Sequence, residues 1–443
     1  MITSKRHLPA RRLAWEVIRV AKRKDRQLLD ILAEHLRNMD FDDEDKWFIR
    51  ELVQGTVRMK GRLDWELSQV FTGDYEEMND NLKVLLRLGA YQLRFMDGVP
   101  DYASVATSVH LAKSIHPNAA KLANALLRTF IDYKISVPDK DSTIISWSQY
   151  LSHPVWLMSK WTEQWSLDKA KEIAEWNNKV PDVWFRLNSL EMSIKDLKKY
   201  LDEHDYEYEF YKHNDLYFKV NHTSKLYSSE LYDLGNIGVQ DPSAGFVVDL
   251  LAPEKDETII DGCAAPGNKT AYIAEKMENT GKILAYDSNK HRLKRLVKQI
   301  TRLNVTNVEA EIRDLTYSEL PKADKVLLDV PSAGTGVLGK RVDVRWRKSI
   351  DDIYESSILQ RKLLWNATKY VKHGGVLVYS TNSLENEENW MVIDAFLKNQ
   401  PEYKIEKADK FVPKKFVNKD GALEIYSPKH NIDGCYAIRL RRD

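Results

Sequence analysis

The stretch TIIDGCAAPGNKT, residues 258–270, decides the fold. An apolar strand pattern leads through a turn of small residues into a helical pattern. Gly262 and Gly267, with two alanines between them, allow backbone amides to approach a ligand at the N-terminus of that helix. The stretch therefore predicts a strand, a turn and a helix that together bind a ligand.

The alternation of strand and helix extends beyond this stretch. Strand patterns occur in ETIIDG, ILAYD, VEAEIRD, KVLLDV and VLVYST, with helical sequence between them. Nearly continuous apolar runs are typical of parallel strands that are buried on both faces. We predict a doubly wound, Rossmann-like α/β domain over residues 236–443, with ligands bound outside the carboxyl ends of the strands.

Four of the predicted strands carry an aspartate at the end. The four residues are Asp261, Asp287, Asp314 and Asp329. An acid at the end of the second strand is placed to accept hydrogen bonds from ribose hydroxyls. The series predicts a site for a cofactor that contains a nucleoside.

The turn lacks the G-x-G-x-x-G spacing of a dinucleotide site, and converging carboxylates disfavour phosphate. S-adenosylmethionine fits better, because its positive sulfonium tolerates acidic surroundings. This cofactor is the one we expect.

The rest of the chain reads as two further domains. Residues 1–135 have apolar residues at helical spacing, which predicts an all-α domain, and the tract at 136–143 reads as a linker. Residues 150–235 combine helical sequence with three aromatic strand patterns at 184–188, 207–211 and 216–220, which predicts a small α+β module. Its aromatic residues could stack on unpaired bases, but we expect most of them to form a core.

Composition excludes several classes of protein. The 443 residues are 43% hydrophobic and 30% charged, with a net charge of +1, which is typical of a soluble globular protein. Two cysteines exclude a disulfide framework and a Cys-rich zinc site. We see no secretory signal, membrane span or metal site, and we expect a cytoplasmic monomer.

A basic cluster in the first segment has two interpretations. It either contacts phosphates or forms a solvated helix face. Its members are Arg11, Arg12, Arg19, Lys22, Arg23, Lys24 and Arg26.

Longer motifs resemble a known family. DGCAAPGNKT, YDSNKHRLKRL, LLDVPSAGTGV and VYSTNSLENEEN are similar, in order and spacing, to the Sun/RsmB family of RNA cytosine-C5 methyltransferases. GRLDWELSQ, LRLGAYQLRFMDGVPDYASV and NALLRTF resemble the NusB-like helical domain of the bacterial rRNA enzyme. The resemblance covers nearly the whole chain.

The resemblance implies a cofactor site and an RNA substrate, which we expect to be ribosomal. Asp287 would contact the ribose, Asp314 would lie near the adenine, and Asp329 would lie near the methionine moiety and the target base. The cofactor loop would consist of Cys263, Ala264, Ala265, Pro266, Gly267, Asn268 and Lys269.

The sequence departs from the family at both cysteines of the covalent mechanism. Asn382 stands in the family's Thr-Cys pair, and Ser332 stands in its Asp-x-Pro-Cys motif, which begins here at Asp329. A carboxamide is not a nucleophile as a thiolate is. The candidate catalytic residues are therefore Asp329, Asn382 and Ser332, with C5 chemistry in question.

Two functions remain open. The protein either transfers a methyl group directly to another nucleotide atom or is a non-catalytic RNA-binding relative active in ribosome assembly.

Four further expectations concern single residues. Asn268 replaces a family glycine, and we expect it to tolerate a positive φ. Cys263 and Cys435 are expected to be small buried residues that cannot replace the family thiols. Glu388 and its acidic neighbours are expected only to complement a helix dipole.

Overall fold

The computed structural model describes residues 8–23, 26–115, 117–139 and 141–443, without the side chains of residues 8, 22, 23 and 117. Contacts divide the chain into two compact units. Unit 1 consists of Met1–Val180 and Leu338–Lys348, and unit 2 consists of Pro181–Val337 and Ser349–Asp443.

The described part of unit 1 contains helices and connecting loops but no strand, as predicted for the N-terminal domain. Side-chain caps begin several helices, as where Asp42 accepts a hydrogen bond from the backbone amide of Asp45 at 2.8 Å. The helices are α1 (Leu8–Arg23), α2 (Leu28–Arg37), α3 (Asp43–Arg58), α4 (Lys60–Val70), α5 (Asp80–Phe95), α6 (Asp101–Ala112), α7 (Pro117–Asp132), α8 (Ile144–Tyr150), α9 (Val155–Gln164) and α10 (Leu167–Asn178).

The basic cluster is not a uniform face. Arg11 is buried, and its Nε donates to Gln92 Oε1 at 2.6 Å, so it is unavailable to phosphate and is not a solvated residue either. Arg12 pairs with Glu16, and the exposed Arg26 pairs with Glu34. Lys24 and the side chains of residues 22 and 23 lie outside the described part of the chain.

Unit 2 contains a small antiparallel sheet with the order β2-β3-β1-β4. The predicted hairpin is present, since Tyr208 pairs with Val220. The elements of this part are β1 (Phe185–Leu187), α11 (Ile194–Glu203), β2 (Tyr208–Phe210), β3 (Tyr217–Val220), α12 (Thr223–Tyr227), α13 (Glu230–Asp233) and β4 (Ile237–Val239).

Unit 2 also contains a mixed eight-stranded sheet with the order β10-β12-β9-β8-β5-β6-β7, in which β11 pairs with β12. Strands β5 to β9 run parallel, and β10, β11 and β12 pair antiparallel. Its elements are α14 (Pro242–Leu251), β5 (Thr258–Gly262), α15 (Asn268–Lys276), β6 (Lys282–Asp287), α16 (Lys290–Arg302), β7 (Val308–Ile312), β8 (Ala323–Asp329), α18 (Ile350–Ala367), β9 (Val371–Thr381), α19 (Trp390–Leu397), β10 (Tyr403–Glu406), β11 (Leu423–Ile425), α20 (Ser427–His430) and β12 (Cys435–Arg442). The chain between β8 and α18 forms one more helix, α17 (Val344–Arg347), which is not part of unit 2.

Helix α17 belongs to unit 1 although its chain neighbours belong to unit 2. Arg345 is fully buried there and donates to the backbone carbonyls of Ser152 at 3.1 Å and Asn177 at 2.8 Å. Trp346 donates to the carbonyl of Val57 at 2.7 Å. These bonds tie the segment to the helical core.

The strand order reverses at β5, with β6 on one side and β8 on the other. Such a reversal opens a crevice at the carboxyl ends of the strands, where ligands bind. Asp287 and Asp329 end their strands as predicted, and Asp261 precedes the last residue of β5. Asp314 does not end a strand, because β7 stops two residues earlier.

Candidate functional site

The turn after β5 brings its backbone close to the neighbouring elements. Cys263 has φ of 69° and Gly267 has φ of 102°, so both are left-handed. The amide of Ala264 donates to the carbonyl of Tyr286 at 2.9 Å, which joins the turn to β6. A Cβ on Gly267 would lie 3.2 Å from the Cα of Leu296, so both the φ and the packing favour glycine.

Asn268 is the first residue of α15 and does not have a positive φ, so the turn does not depend on its tolerance of that conformation. The left-handed position falls on Gly267 instead. The Asn268 side chain donates to the carbonyl of Val239 at 2.8 Å and accepts from Gln299 at 3.1 Å. It therefore anchors the helix start rather than the turn.

Asp287 lies across the turn at the end of β6. Its carboxylate accepts hydrogen bonds from the amides of Ala265 at 3.3 Å and Asn289 at 2.9 Å. Arg292 lies 3.5 Å from the same carboxylate and donates to the carbonyl of Ala265 at 2.6 Å. Each carboxylate oxygen can accept a further bond, so the group can still receive a hydroxyl.

Asp261 is a buried carboxylate with one free oxygen. Its Oδ2 accepts from the Thr270 hydroxyl at 2.6 Å, whereas Oδ1 has no hydrogen-bond partner among the described residues. Burial, reinforced by Asp329 and Asp287, raises the pKa of Asp261 to about 7. A cation bound here would stabilise the charged form of Asp261, which burial disfavours.

Asp329 is held from two sides at the end of β8. Lys269 Nζ donates to one oxygen at 2.8 Å, and the Ser380 hydroxyl donates to the other at 2.8 Å. Burial alone would lower the pKa of Lys269, but Asp329 outweighs it, and the pKa is raised. Lys269 is therefore protonated, and the two hydrogen bonds fix the orientation of the Asp329 carboxylate.

Asp314 is half-buried and partly engaged by its own loop. Its Oδ1 accepts from the Thr316 amide at 2.9 Å and from the Thr316 hydroxyl at 2.7 Å. The second oxygen remains available for a ligand.

The backbone segments around Gly336, Asn382 and Gly434 meet close to Asp329, and we refer to them as the rim. The amide of Gly336 donates to the carbonyl of Asn382 at 3.0 Å, and the carbonyl of Gly336 accepts from the amide of Gly434 at 2.9 Å. A Cβ on Gly336 would lie 2.5 Å from the carbonyl oxygen of Gly434. Ser332 and Asn382 are half-buried here, and neither side chain makes a hydrogen bond within the described residues.

Comparisons with known proteins agree with this geometry. Residues 248–441 match the model of the 16S rRNA methyltransferase RsmB/F family, residues 8–132 match the NusB family, and residues 153–218 match the RsmF/B-like ferredoxin-like domain. The chain is 30% identical over 426 residues to the probable ribosomal RNA small subunit methyltransferase B of Bacillus subtilis, with 93% of this chain and 94% of that protein covered.

The chain belongs to the RsmB/F family. The like-named protein of a Synechocystis species is 31% identical, with 98% of this chain and 100% of that protein covered. The crystal structure of PH0851 has a TM-score of 0.83 at 25% identity and covers 100% of this chain and 99% of its own. The predicted family, fold class and methyltransferase activity are thus confirmed.

The RsmB/F family uses S-adenosylmethionine, which confirms the predicted cofactor. The partnerless oxygen of Asp261 fits this cationic molecule. Among the described residues, no group of three His, Cys, Asp or Glu side chains could hold a metal ion. None of the described helices is long and apolar enough to cross a membrane.

Cys263 and Cys435 lie in different parts of unit 2, and the pKa of each thiol is raised. Cys435 begins β12 and precedes Tyr436, which pairs with Thr381, so it lies near Asn382 despite its distance in sequence. It is buried, and burial raises its pKa to about 12. Cys263 is half-buried rather than buried, and desolvation, with Asp287 and Asp329, raises its pKa as well. Both therefore remain thiols at neutral pH.

Glu388 was missed by the sequence patterns. It is fully buried before α19 begins, so the interpretation as a helix-dipole partner is wrong. Its carboxylate accepts from the amide of Ala333 at 2.8 Å, from Gln360 at 3.0 Å and from the hydroxyl of Ser383. Burial raises its pKa to about 7. Glu388 thus fixes the loop that carries Ser332 against the loop that carries Asn382.

Proposed function

We propose that this RsmB/F protein transfers a methyl group to a nucleotide of ribosomal RNA without a covalent thiolate intermediate. Relatives along the whole chain are named ribosomal RNA small subunit methyltransferase B. The observation that carries the proposal is the oriented Asp329 carboxylate, held by Lys269 and Ser380 beside the half-buried Ser332 and Asn382.

The cofactor is proposed to lie along the carboxyl ends of β5 to β8. The turn Cys263–Lys269 would surround it, Asp287 would accept from its ribose hydroxyls, Asp314 would lie near its adenine, and Asp261 would compensate its positive charge. When bound, S-adenosylmethionine supplies a methyl group that is activated by the sulfonium. The free acceptor capacity of these carboxylates supports these roles.

The side chains at the rim are proposed to orient the acceptor. Asp329 can accept a hydrogen bond from an amine or hydroxyl of the target, and Asn382 offers one acceptor and an amide donor. A nitrogen or oxygen with a lone pair needs no covalent activation, so positioning supplies much of the rate. The Ser332 hydroxyl forms no hydrogen bond to a base within the described residues, so we assign it a hydrogen-bonding role rather than that of a nucleophile.

A second candidate is a non-catalytic RNA-binding relative active in ribosome assembly. It is favoured by one observation, namely that both positions where the family places cysteines hold a serine and an asparagine.

The proposal extends to organisation and location. We infer a cytoplasmic monomer with a helical RNA-binding domain at 1–135, a recognition module at 150–235 and a methyltransferase domain at 236–443. The separate family matches to these three parts support this division.

The decisive experiment incubates the protein with labelled S-adenosylmethionine and RNA from cells that lack the protein. We expect label in ribosomal RNA, and nucleoside mass spectrometry identifies the modified atom. A product of 5-methylcytidine would contradict the thiol-free reaction. No label, with cofactor binding shown by calorimetry, would support the second candidate.

A trapping experiment tests the absence of a covalent intermediate. RNA that contains 5-fluorocytidine blocks loss of the C5 substituent and so retains an enzyme that has added to C6. We expect no denaturation-resistant adduct with the native protein. The variant with Ser332→Cys and Asn382→Cys restores both thiols and serves as the comparison.

A further inference from the structure

Three exposed lysines of unit 2 converge from segments that are far apart in sequence. Lys212 lies in the turn between β2 and β3, Lys415 follows β10, and Lys429 lies in α20. We refer to Lys212, Lys415 and Lys429 as the lysine patch.

The lysine patch surrounds a buried aromatic ring. Lys415 Nζ lies 4.5 Å from the ring centroid of Phe416 and donates to His213 Nε2 at 2.5 Å. The Phe416 ring contacts the rings of His213 at 5.6 Å and His430 at 4.9 Å between centroids. These contacts hold the three segments together, so the convergence of the lysines is built into the fold.

The lysine patch lacks ion pairs in the part of the chain that the structure describes. None of its three lysines forms an ion pair within the described residues, whereas other lysines of unit 2 do. Burial and the charges of Lys212 and Lys429 lower the pKa of Lys415. Burial, followed by Lys429 and Lys415, lowers the pKa of His430 to about 4, so this ring is neutral at pH 7. The lysines repel one another, and an anion would relieve that repulsion.

The lysine patch is connected to the rim by a short segment. Three residues lie between His430 and Gly434, and the four Cα-to-Cα steps that join them cover at most roughly 14 Å in an extended chain. The backbone amide of Gly434 donates a hydrogen bond to the carbonyl of Gly336, and the amide of Gly336 donates to the carbonyl of Asn382. A polymer with its reacting unit at Asn382 therefore reaches the patch within a few of its repeats.

We propose that the lysine patch binds backbone phosphates of single-stranded RNA close to the nucleotide at the rim. The inference rests on the proposed function for the identity of the polymer. The exposed ammonium groups act as point charges for phosphate oxygens, so they contribute affinity without base preference.

The test measures the affinity of a single-stranded RNA oligonucleotide at several salt concentrations. The variant with Lys212→Gln, Lys415→Gln and Lys429→Gln should bind more weakly. Its slope of log affinity against log salt concentration should be shallower by about 2, since each phosphate contact on a single strand contributes about 0.7.

A matched control loses the same net charge elsewhere in unit 2. Lys255, Lys282 and Lys404 each pair with a carboxylate, and their replacement by Gln should change the slope by much less. Equal slope changes in both variants, or no change in the first, would overturn the proposal. Poly-glutamate binding that falls as much as RNA binding would indicate an acidic protein partner and would also overturn it.

The outcome is separable from that of the proposed function, because the measurement needs no turnover. Both variants should bind S-adenosylmethionine as the native protein does. A native protein that binds RNA through the patch but transfers no methyl group would refute the proposed function alone.

Discussion

The two halves of the crevice differ in what they retain. On the cofactor side, the ends of β5 and β6 carry Asp261 and Asp287 with their backbone partners in place. On the acceptor side, the ends of β8 and β9 keep the oriented Asp329, but Ser332 and Asn382 stand where the family has thiols. The acidic strand ends on the proposed cofactor side are thus kept, although two side chains on the proposed acceptor side have changed.

The acceptor side has also kept a rigid framework. Glu388 joins its two loops, and Gly336 permits three backbones to meet. A side chain on Gly336 would meet backbone atoms, which cannot move aside as a flexible side chain could. The two halves therefore differ in the chemistry of the Ser332 and Asn382 side chains, whereas the backbone of the acceptor side keeps its packing.

The largest effect is expected at Asp329. Asp329→Asn removes the charge that compensates Lys269, so methyl transfer should fall by at least about 100-fold, with a smaller loss of cofactor affinity. Transfer of label to RNA and calorimetry measure the two effects. Asp324→Asn is the control, because Asp324 pairs with Lys372 at the opposite end of β8. Equal losses of methyl transfer in Asp329→Asn and Asp324→Asn would contradict a specific role of Asp329 on the acceptor side.

Replacement of Glu388 tests whether this side chain holds the two loops of the acceptor side together. Glu388→Ala leaves the donors of Ala333, Gln360 and Ser383 without their acceptor, so the free energy of unfolding of unit 2 should fall by about 3 kcal/mol. Denaturant titration measures this loss. Replacement of the exposed Glu319 by Ala should change it by less than about 0.5 kcal/mol. A stable Glu388→Ala protein would show that the loops are held by other contacts.

The cofactor side should respond to pH. The raised pKa of Asp261, about 7, means that the group is mostly protonated at low pH and becomes a carboxylate as the pH rises through this value. Affinity for the cationic cofactor should rise roughly tenfold from about pH 5.5 to about pH 7.5. Calorimetry with uncharged adenosine is the control, and Asp261→Asn should abolish the dependence. Persistence of the dependence in that variant would assign it to another group.

The smallest effect is expected from the cysteines. The double variant with Cys263→Ser and Cys435→Ser removes both thiols of the chain. Methyl transfer should remain within about threefold of the native rate, because neither thiol is ionised at neutral pH. Loss of transfer, with cofactor affinity unchanged, would show that one of the two thiols takes part in the reaction, and the two single variants would identify which.

Local patterns predicted the strands and the turn after β5 well, because buried parallel strands require apolar runs and tight turns require small residues. They placed Asp287 and Asp329 correctly at strand ends, but not Asp314. They failed where a role depends on a partner that is far away in the chain. Arg11 looked like part of a basic face, yet it is buried against Gln92. Glu388 looked like a surface acid, yet its partners come from β8's loop and from α18.

The sequence by itself determined the family, the cofactor and the absence of the two thiols, since these depend on which residues occupy contiguous motifs. The tertiary structure alone decided that α17 belongs to the helical unit and that Cys435 lies beside the rim. It also decided that three lysines converge without an ion pair among the described residues. The physical reason is that burial and charge compensation depend on neighbours in space, and sheet order and loop packing bring these together from distant parts of the chain.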